Sequence, residues 1–340
     1  MEKRLLLLLV LVGWSLISIG QTDGYSKKDK IAYEEADSYI AYGDYKTAAE
    51  LFEELYKKDQ ANPWISYKLG RSYYELHDYE KAKSYLKRSI NTVESAKYYL
   101  AQILHYQSYI DEAELMLKSI QSSEIDQKEI QRILDQIEFA RIQFKNPQEV
   151  TIKNVGEQIN SEHPDYVPLI TANEEYLYFT SRRPNEEHQL KDVTGQYYEE
   201  VYMSMSIEEQ WTKAAPIKGN INTEKHDACV GLSPDGNRMF LFKTNTNLIG
   251  GDLYESQQIN GFWSTPLKMS DKINGEFSIE PSASISIDDK TFYFSSNREG
   301  GYGGFDLYRV VKLPNGEWSE AMNLGDKINT PYDDDAPFIH

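Results

Sequence analysis

Apolar positions along the chain change their spacing twice. From Leu5 to Ile19 they form an almost unbroken run. From residue 28 to about residue 145 they recur at helical intervals. From about residue 150 onward they alternate in short runs between turn residues. An i, i+3, i+4 pattern predicts amphipathic helices, and strict alternation predicts half-buried strands. The chain therefore reads as a helical half followed by a β half.

Each half repeats itself, and such repeats decide the architecture. In the helical half three stretches correspond: Tyr42-Gly43-Asp44-Tyr45-Lys46-Thr47-Ala48, Leu76-His77-Asp78-Tyr79-Glu80-Lys81-Ala82 and Gln107-Ser108-Tyr109-Ile110-Asp111-Glu112-Ala113. Each has a turn-like pair, a bulky residue and then an alanine. The alanines stand 34 and 31 residues apart. Tyr39, Tyr73 and Leu104 occupy one slot in the helix before each turn. Phe52, Leu86 and Leu117 lie four residues past each alanine, in the helix after it. The small residue lets two helices approach, and the bulky one before it fills the gap between neighbouring hairpins. Asn62-Pro63 separates two hairpins, because the residue before a proline avoids the α region. Ser123 to Phe144 predicts one more amphipathic helix, with Ile125, Ile130, Ile133, Leu134 and Ile137 on one face. Such a helix would cover the open end of a stack. Asn146-Pro147 closes this half.

The β half opens its units with Ile159-Asn160, Ile221-Asn222, Ile273-Asn274 and Ile328-Asn329, at steps of 62, 52 and 55 residues. An acidic residue follows in each: Asp165, Asp227, Glu280 and Asp334. Then come a turn (Asn173-Glu174-Glu175, Pro234-Asp235-Gly236, Asp288-Asp289-Lys290) and an aromatic strand. Those strands are Tyr176–Thr180, Met239–Phe242 and Thr291–Phe294. A third strand carries Val201-Tyr202, Asp252-Leu253-Tyr254 or Asp306-Leu307-Tyr308, and a Trp ends the unit: Trp211, Trp263, Trp318. The unit length suits four short strands, one propeller blade. The recurring Trp is expected to pack between adjacent blades.

Composition narrows the function. The chain has 340 residues, enough for about two domains, and 26 tyrosines argue for packed structure rather than disorder. A formal net charge of −18 sets it against nucleic-acid phosphates. Cys229 is the lone cysteine, so no intrachain disulfide is possible, and its apolar neighbourhood predicts a buried, inert thiol. At the N-terminus, Glu2-Lys3-Arg4, the apolar run and Ser18-Ile19-Gly20 have the layout of a signal peptide over residues 1–20, cut before Gln21. The run is short for a membrane span of roughly 20 residues. The expected mature protein is exported and has no transmembrane segment.

The helical units resemble the tetratricopeptide repeat. Gly70 stands at that family's small-residue position in the second unit, Ala36 and Ala101 replace it in the others, and no Trp fills the family's early slot. The resemblance implies a concave groove that grips a peptide or protein. The β units resemble the WD40-like β-propeller repeat of bacterial envelope proteins, through Tyr293-Phe294-Ser295-Ser296-Asn297-Arg298, Gly300–Tyr308 and Ser233-Pro234-Asp235-Gly236. The translocation protein of the Tol–Pal system carries related repeats. Nearer in plan are outer-membrane-associated proteins of Bacteroidetes. These join tetratricopeptide repeats, this propeller and an OmpA-like peptidoglycan-binding domain, and some serve type IX secretion. No OmpA-like stretch is present here. The expected fold is an α + β multidomain chain: a helical solenoid over residues 28–145, then an incomplete propeller of antiparallel four-stranded blades over 150–340. Three blades and the start of a fourth predict a truncated sequence, or else closure with a partner, because an open sheet edge invites pairing.

No catalytic constellation emerges. Asp333-Asp334-Asp335 reads as turn capping rather than a cation site, and the six histidines form no close metal-ligand pair. His226-Asp227 near Cys229 would need convergent geometry to act as a nucleophile set. There is no G-x-S-x-G elbow or phosphate-cradling loop. Gly300–Gly304 precedes a strand and reads as a flexible loop. No catalytic, cofactor-binding or metal residue is assigned, and no cofactor is expected. The expected role is a non-catalytic interaction scaffold of the cell envelope with a protein or peptide partner. The alternatives are a propeller regulating a hydrolase domain and a glycan-binding module.

Overall fold

The computed structural model describes residues 24–184, 189–192, 195–245 and 250–339; the expected signal segment, residues 1–20, lies outside them. Two compact units divide at Thr151–Ile152.

The first unit holds seven helices among the described residues: α1 (Lys27–Ala41), α2 (Tyr45–Lys58), α3 (Pro63–Glu75), α4 (Tyr79–Ser89), α5 (Ser95–Tyr106), α6 (Ile110–Lys118) and α7 (Gln127–Lys145). Capping side chains set several starts. Ser26, Asp44, Asn62 and Asp78 each accept a backbone N–H from the first turn of α1 to α4, and Pro63 occupies the first turn of α3. The three hairpin turns pass through the left-handed region at Gly43, His77 and Ser108, which occupy one slot of the repeat. Only the first uses the residue for which that conformation carries no Cβ penalty.

The alanines do what the repeat implies. Ala48, Ala82 and Ala113 have no exposed surface, and Phe52, Leu86 and Leu117 are buried beside them. A Cβ at Gly70 would lie 2.6 Å from Leu86 Cγ, so the α3–α4 contact closes only around a glycine. Tyr79 lies between hairpins, its ring 5.8 Å from Tyr74 and 5.7 Å from Tyr106. The last helix starts at Gln127, four residues later than the apolar spacing implied. Asp126 caps it by accepting from Lys128 N–H, and Ile125 still packs on the core from the preceding turn. Its Ile130, Ile133 and Ile137 are buried.

The second unit holds three antiparallel sheets. The first comprises β1 (Asp165–Ile170), β2 (Tyr176–Ser181) and β3 (Glu200–Ile207), with β4 (Gln210–Trp211) and β5 (Ala215–Pro216) both paired to β3. The second comprises β6 (Asp227–Leu232), β7 (Arg238–Thr244), β8 (Gly251–Ile259), β9 (Phe262–Trp263) and β10 (Leu267–Lys268), ordered β10-β8-β7-β6 with β9 on β8. The third runs β11 (Ala283–Ile285), β12 (Thr291–Ser296), β13 (Asp306–Val311), β14 (Met322–Asn323) in sequence order. Each is an up-and-down meander, the topology of a propeller blade. The first strands β1, β6 and β11 neighbour one another in turn. Phe240 of β7 meets Phe292 of β12 edge-on at 4.9 Å.

The Ile-Asn motif proves to be a stitch between successive units. Asn222 accepts from Val201 N–H at 2.8 Å and donates to Val201 C=O at 3.0 Å, matching one strand residue of the preceding blade as a neighbouring strand would. Asn274 does the same to Leu253, and Asn329 to Leu307. The isoleucine beside it is buried at 159, 221 and 273, but Ile328 is 54% exposed. The recurring acid has a cation partner: Asp165 with Arg183, Asp227 with Lys243, Glu280 with Arg298. Each cation also donates to the carbonyl of Ile159, Ile221 or Ile273, so acid, cation and stitch form one knot per blade. Charge-assisted bonds of this kind satisfy groups that would otherwise be costly to bury, although in the third knot they reach only Glu280 Oε1 and leave Oε2 buried without a partner.

The segment from Asp334 to Ile339 repeats the start of β1. Val167 (φ +50) and Ala336 (φ +54) are both left-handed and both precede a proline. This segment lies along β11, with Ala336 N–H donating to Ser282 Oγ at 3.0 Å and Ile339 N–H to Ser284 Oγ at 3.3 Å.

Candidate binding groove and the polar sites of the blades

Within the helical unit, α3 approaches α5, and α5 approaches α7, more closely than the second helices α2, α4 and α6 approach one another. The first-helix side is therefore the inner side of the stack. Tyrosines line it. Tyr99 of α5 lies 6.2 Å from Tyr67, 5.1 Å from Tyr74 and 5.5 Å from Tyr98, ring to ring. Tyr74 Oη donates to Gln102 Oε1 at 3.1 Å and lies 3.4 Å from Tyr106 Oη. These bonds hold the rings upright, so the wall is preformed.

Arg71 of α3 stands among these rings. Its Nε is buried and has no hydrogen-bond partner. Burial alone would lower its pKa, but Tyr99, Tyr67 and Tyr45 oxygens and the Glu75 carboxylate outweigh it and raise the value. No ion pair reaches Arg71 among the described residues, whereas the nearby Lys68 is neutralised by Asp37. A guanidinium presents a fork of donors suited to carboxylate; one that hydrogen-bonds Tyr67 but has no ion-pair partner keeps donors for an acidic acceptor.

In the blades, the residues that sequence spacing brought near one another do not converge as a nucleophile set. The Cys229 thiol faces Thr180 Oγ1 at 3.5 Å and Val167 C=O at 3.7 Å, and burial pushes its pKa up to about 12. His226 turns instead to Glu199, with Nδ1 to Oε2 at 3.0 Å, and its ring lies tilted against Tyr198 at 4.3 Å. Glu199 is the hub of a polar cluster invisible in the sequence. It accepts from Tyr166 Oη and from Arg182 NH2 at 3.1 Å, and Arg182 also reaches Asp192 at 2.7 Å. Burial would raise the Glu199 pKa, but bonds from His226 and Tyr166 and the Arg182 charge prevail and lower it to about 2. Among the described residues nothing equivalent repeats in the other blades, so periodicity carried no signal of it.

Asp333, Asp334 and Asp335 are engaged separately. Asp333 accepts from Phe305 N–H at 3.0 Å, Asp334 from Thr330 N–H at 2.5 Å, and Asp335 from Ser295 Oγ at 2.6 Å. Among the described residues no cluster of His, Cys, Asp or Glu could hold a metal ion. The Gly300–Gly304 loop is fastened rather than loose. Asp306 accepts from Tyr302 N–H at 2.6 Å and Gly303 N–H at 2.9 Å, and a Cβ at Gly303 would fall 1.8 Å from Tyr332 O. The glycines serve close approach. Trp263 meets Tyr178 of the first blade edge-on at 5.7 Å, and Trp318 lies 5.9 Å from Phe292. Trp211 packs against residues of its own blade. No helix among the described residues is long and apolar enough to cross a membrane.

The tetratricopeptide-repeat family matches residues 39–103. No curated protein matches the chain. Among solved structures, the first tetratricopeptide domain of Spaghetti bound to an HSP90 peptide is 19% identical, covering 35% of this chain and 96% of its own (TM-score 0.32). The β-propeller domain of the Trilobed protease from Pyrococcus furiosus is 10% identical, covering 48% of this chain and 44% of its own (TM-score 0.30). A putative TolB from Agrobacterium tumefaciens is 16% identical, covering 50% of this chain and 65% of its own (TM-score 0.27). The blade architecture stands on the strand pairings themselves.

Proposed function

We propose that the protein is a non-catalytic interaction scaffold whose helical unit takes a peptide or protein segment against the tyrosine wall. The observation that carries this is Arg71. Its buried Nε lacks an acceptor, beside rings that offer flat apolar contact at low entropic cost. A partner carboxylate would complete the arrangement. Stacked hairpins expose extended inner surfaces of the kind such partners use. The basic start, apolar run and small residues of segment 1–20 support export, and the WD40-like character of the blades supports a place in the bacterial envelope, peripheral to the outer membrane or within a secretion assembly.

Selection of a random peptide display library on the full chain tests this. The expected result is enrichment of peptides with acidic residues, whose binding is lost in Arg71→Glu. Absence of enrichment, or equal binding to the Arg71→Glu chain, would overturn the reading.

A further inference from the structure

The two seams between the three hairpins are filled differently. In the first, Tyr56 of α2 meets Tyr85 of α4 edge-on at 5.2 Å, and Tyr73 of α3 stacks on Tyr85 at 5.8 Å. The repeat places Ile90, Met116 and Leu104 in those three slots of the second seam. Three rings give way to three aliphatic side chains, and a cleft of about 370 Å³ opens between α4 and α6, lined by all three. A volume of this size holds a large side chain with room for its neighbours.

The polar rim is exchanged as well. In the first seam Tyr73 Oη donates to Glu53 of α2, and Lys81 of α4 sits 4.7 Å from the Tyr73 ring centre. In the second seam Lys87 of α4 occupies the Glu53 slot and Glu112 of α6 the Lys81 slot; both line the cleft. The cation and the carboxylate have thus traded places around the gap, so a donor stands where the hydroxyl's acceptor was, with the ring missing. Lys83 adds a second cation; it donates to Gln107 Oε1 at 2.6 Å and lies over Tyr109 at 5.2 Å. Among the described residues no carboxylate pairs with Lys83 or Lys87, so the rim carries excess positive charge.

We propose that this cleft is a second docking site, on the second-helix side, and that it takes a tyrosine side chain from an acidic segment of a partner protein. The first seam shows what such a space accepts, and the lysines select the acidic flank. Met116 supplies the adaptable wall that thioether side chains give binding surfaces.

The test uses the full chain with methyl-labelled methionine and the synthetic peptide Gly-Ser-Glu-Asp-Tyr-Glu-Gly-Ser. The Met116 methyl signal should shift saturably. The shift should need the peptide's tyrosine, weaken about fivefold or more in Lys87→Glu, and vanish in Ile90→Tyr, which fills the cleft from α4 and keeps the Met116 reporter. The double variant Ile90→Tyr/Met116→Tyr, which refills the seam, should melt at a higher temperature than the parent. An unmoved Met116 signal, or an alanine-substituted peptide that shifts it equally, would overturn the proposal. If the peptide binds with Met116 unmoved and Arg71→Glu abolishes it, the cleft proposal fails while the groove reading stands.

Discussion

Single residues set limits that can be measured. Gly70 is the point where α3 and α4 touch, so Gly70→Ala must push Leu86 aside. The expected cost is about 1–3 kcal/mol in urea denaturation, typical of overpacking. The Cys229 thiol, its pKa pushed up to about 12 by burial, should stay silent to a disulfide reagent at pH 8 and react only on unfolding. Glu199 gives a pH signature. Its folded pKa, about 2, lies below its ordinary 4.5, so its contribution is fully present above pH 4.5 and is lost as pH falls toward 2. The stability difference between the parent chain and Glu199→Gln should therefore shrink across that window. A difference that stays constant would mean the cluster does not hold its charge as described.

Among elements, the helices and strands were legible because their repeats advertise them. The Ala48, Ala82 and Ala113 slots and the three aromatic strands fall where spacing put them. The start of α7 was not legible, since the cap at Asp126 is a local hydrogen bond that competes with apolar periodicity. The Ile-Asn motif was visible as a pattern, but its mechanism was not. Only the fold shows that the asparagine amide stands in for a strand, or that Arg183, Lys243 and Arg298 close each knot. The Tyr166–Arg182–Glu199–His226 cluster left no trace, because it occurs once and joins residues far apart in sequence. At this scale the stitch is testable. Asn274→Ala leaves the buried Leu253 N–H without a partner, while the Leu253 C=O keeps the bond from Met269 N–H, at an expected cost of about 1–3 kcal/mol. Asn160 lacks this bond to a preceding blade, so Asn160→Ala should cost measurably less.

For the whole molecule, the helical unit and the blades have separate cores, one built around Phe52, Leu86 and Leu117, the others around Phe240, Tyr178 and Phe179. Two unfolding transitions are expected in calorimetry, and Gly70→Ala should move only one of them. With a net charge of −18 the chain offers no basic field, so the groove's acid selectivity rests on one guanidinium without an ion-pair partner among the described residues. Hydrogen exchange of the full chain, with and without a display-selected peptide, distinguishes a groove on the helical unit from any other binding surface. Added protection is expected in α3 and α5, residues 63–75 and 95–106, with the blades unchanged. Protection confined to the blades, or none in α3 and α5 under saturating peptide, would contradict the groove.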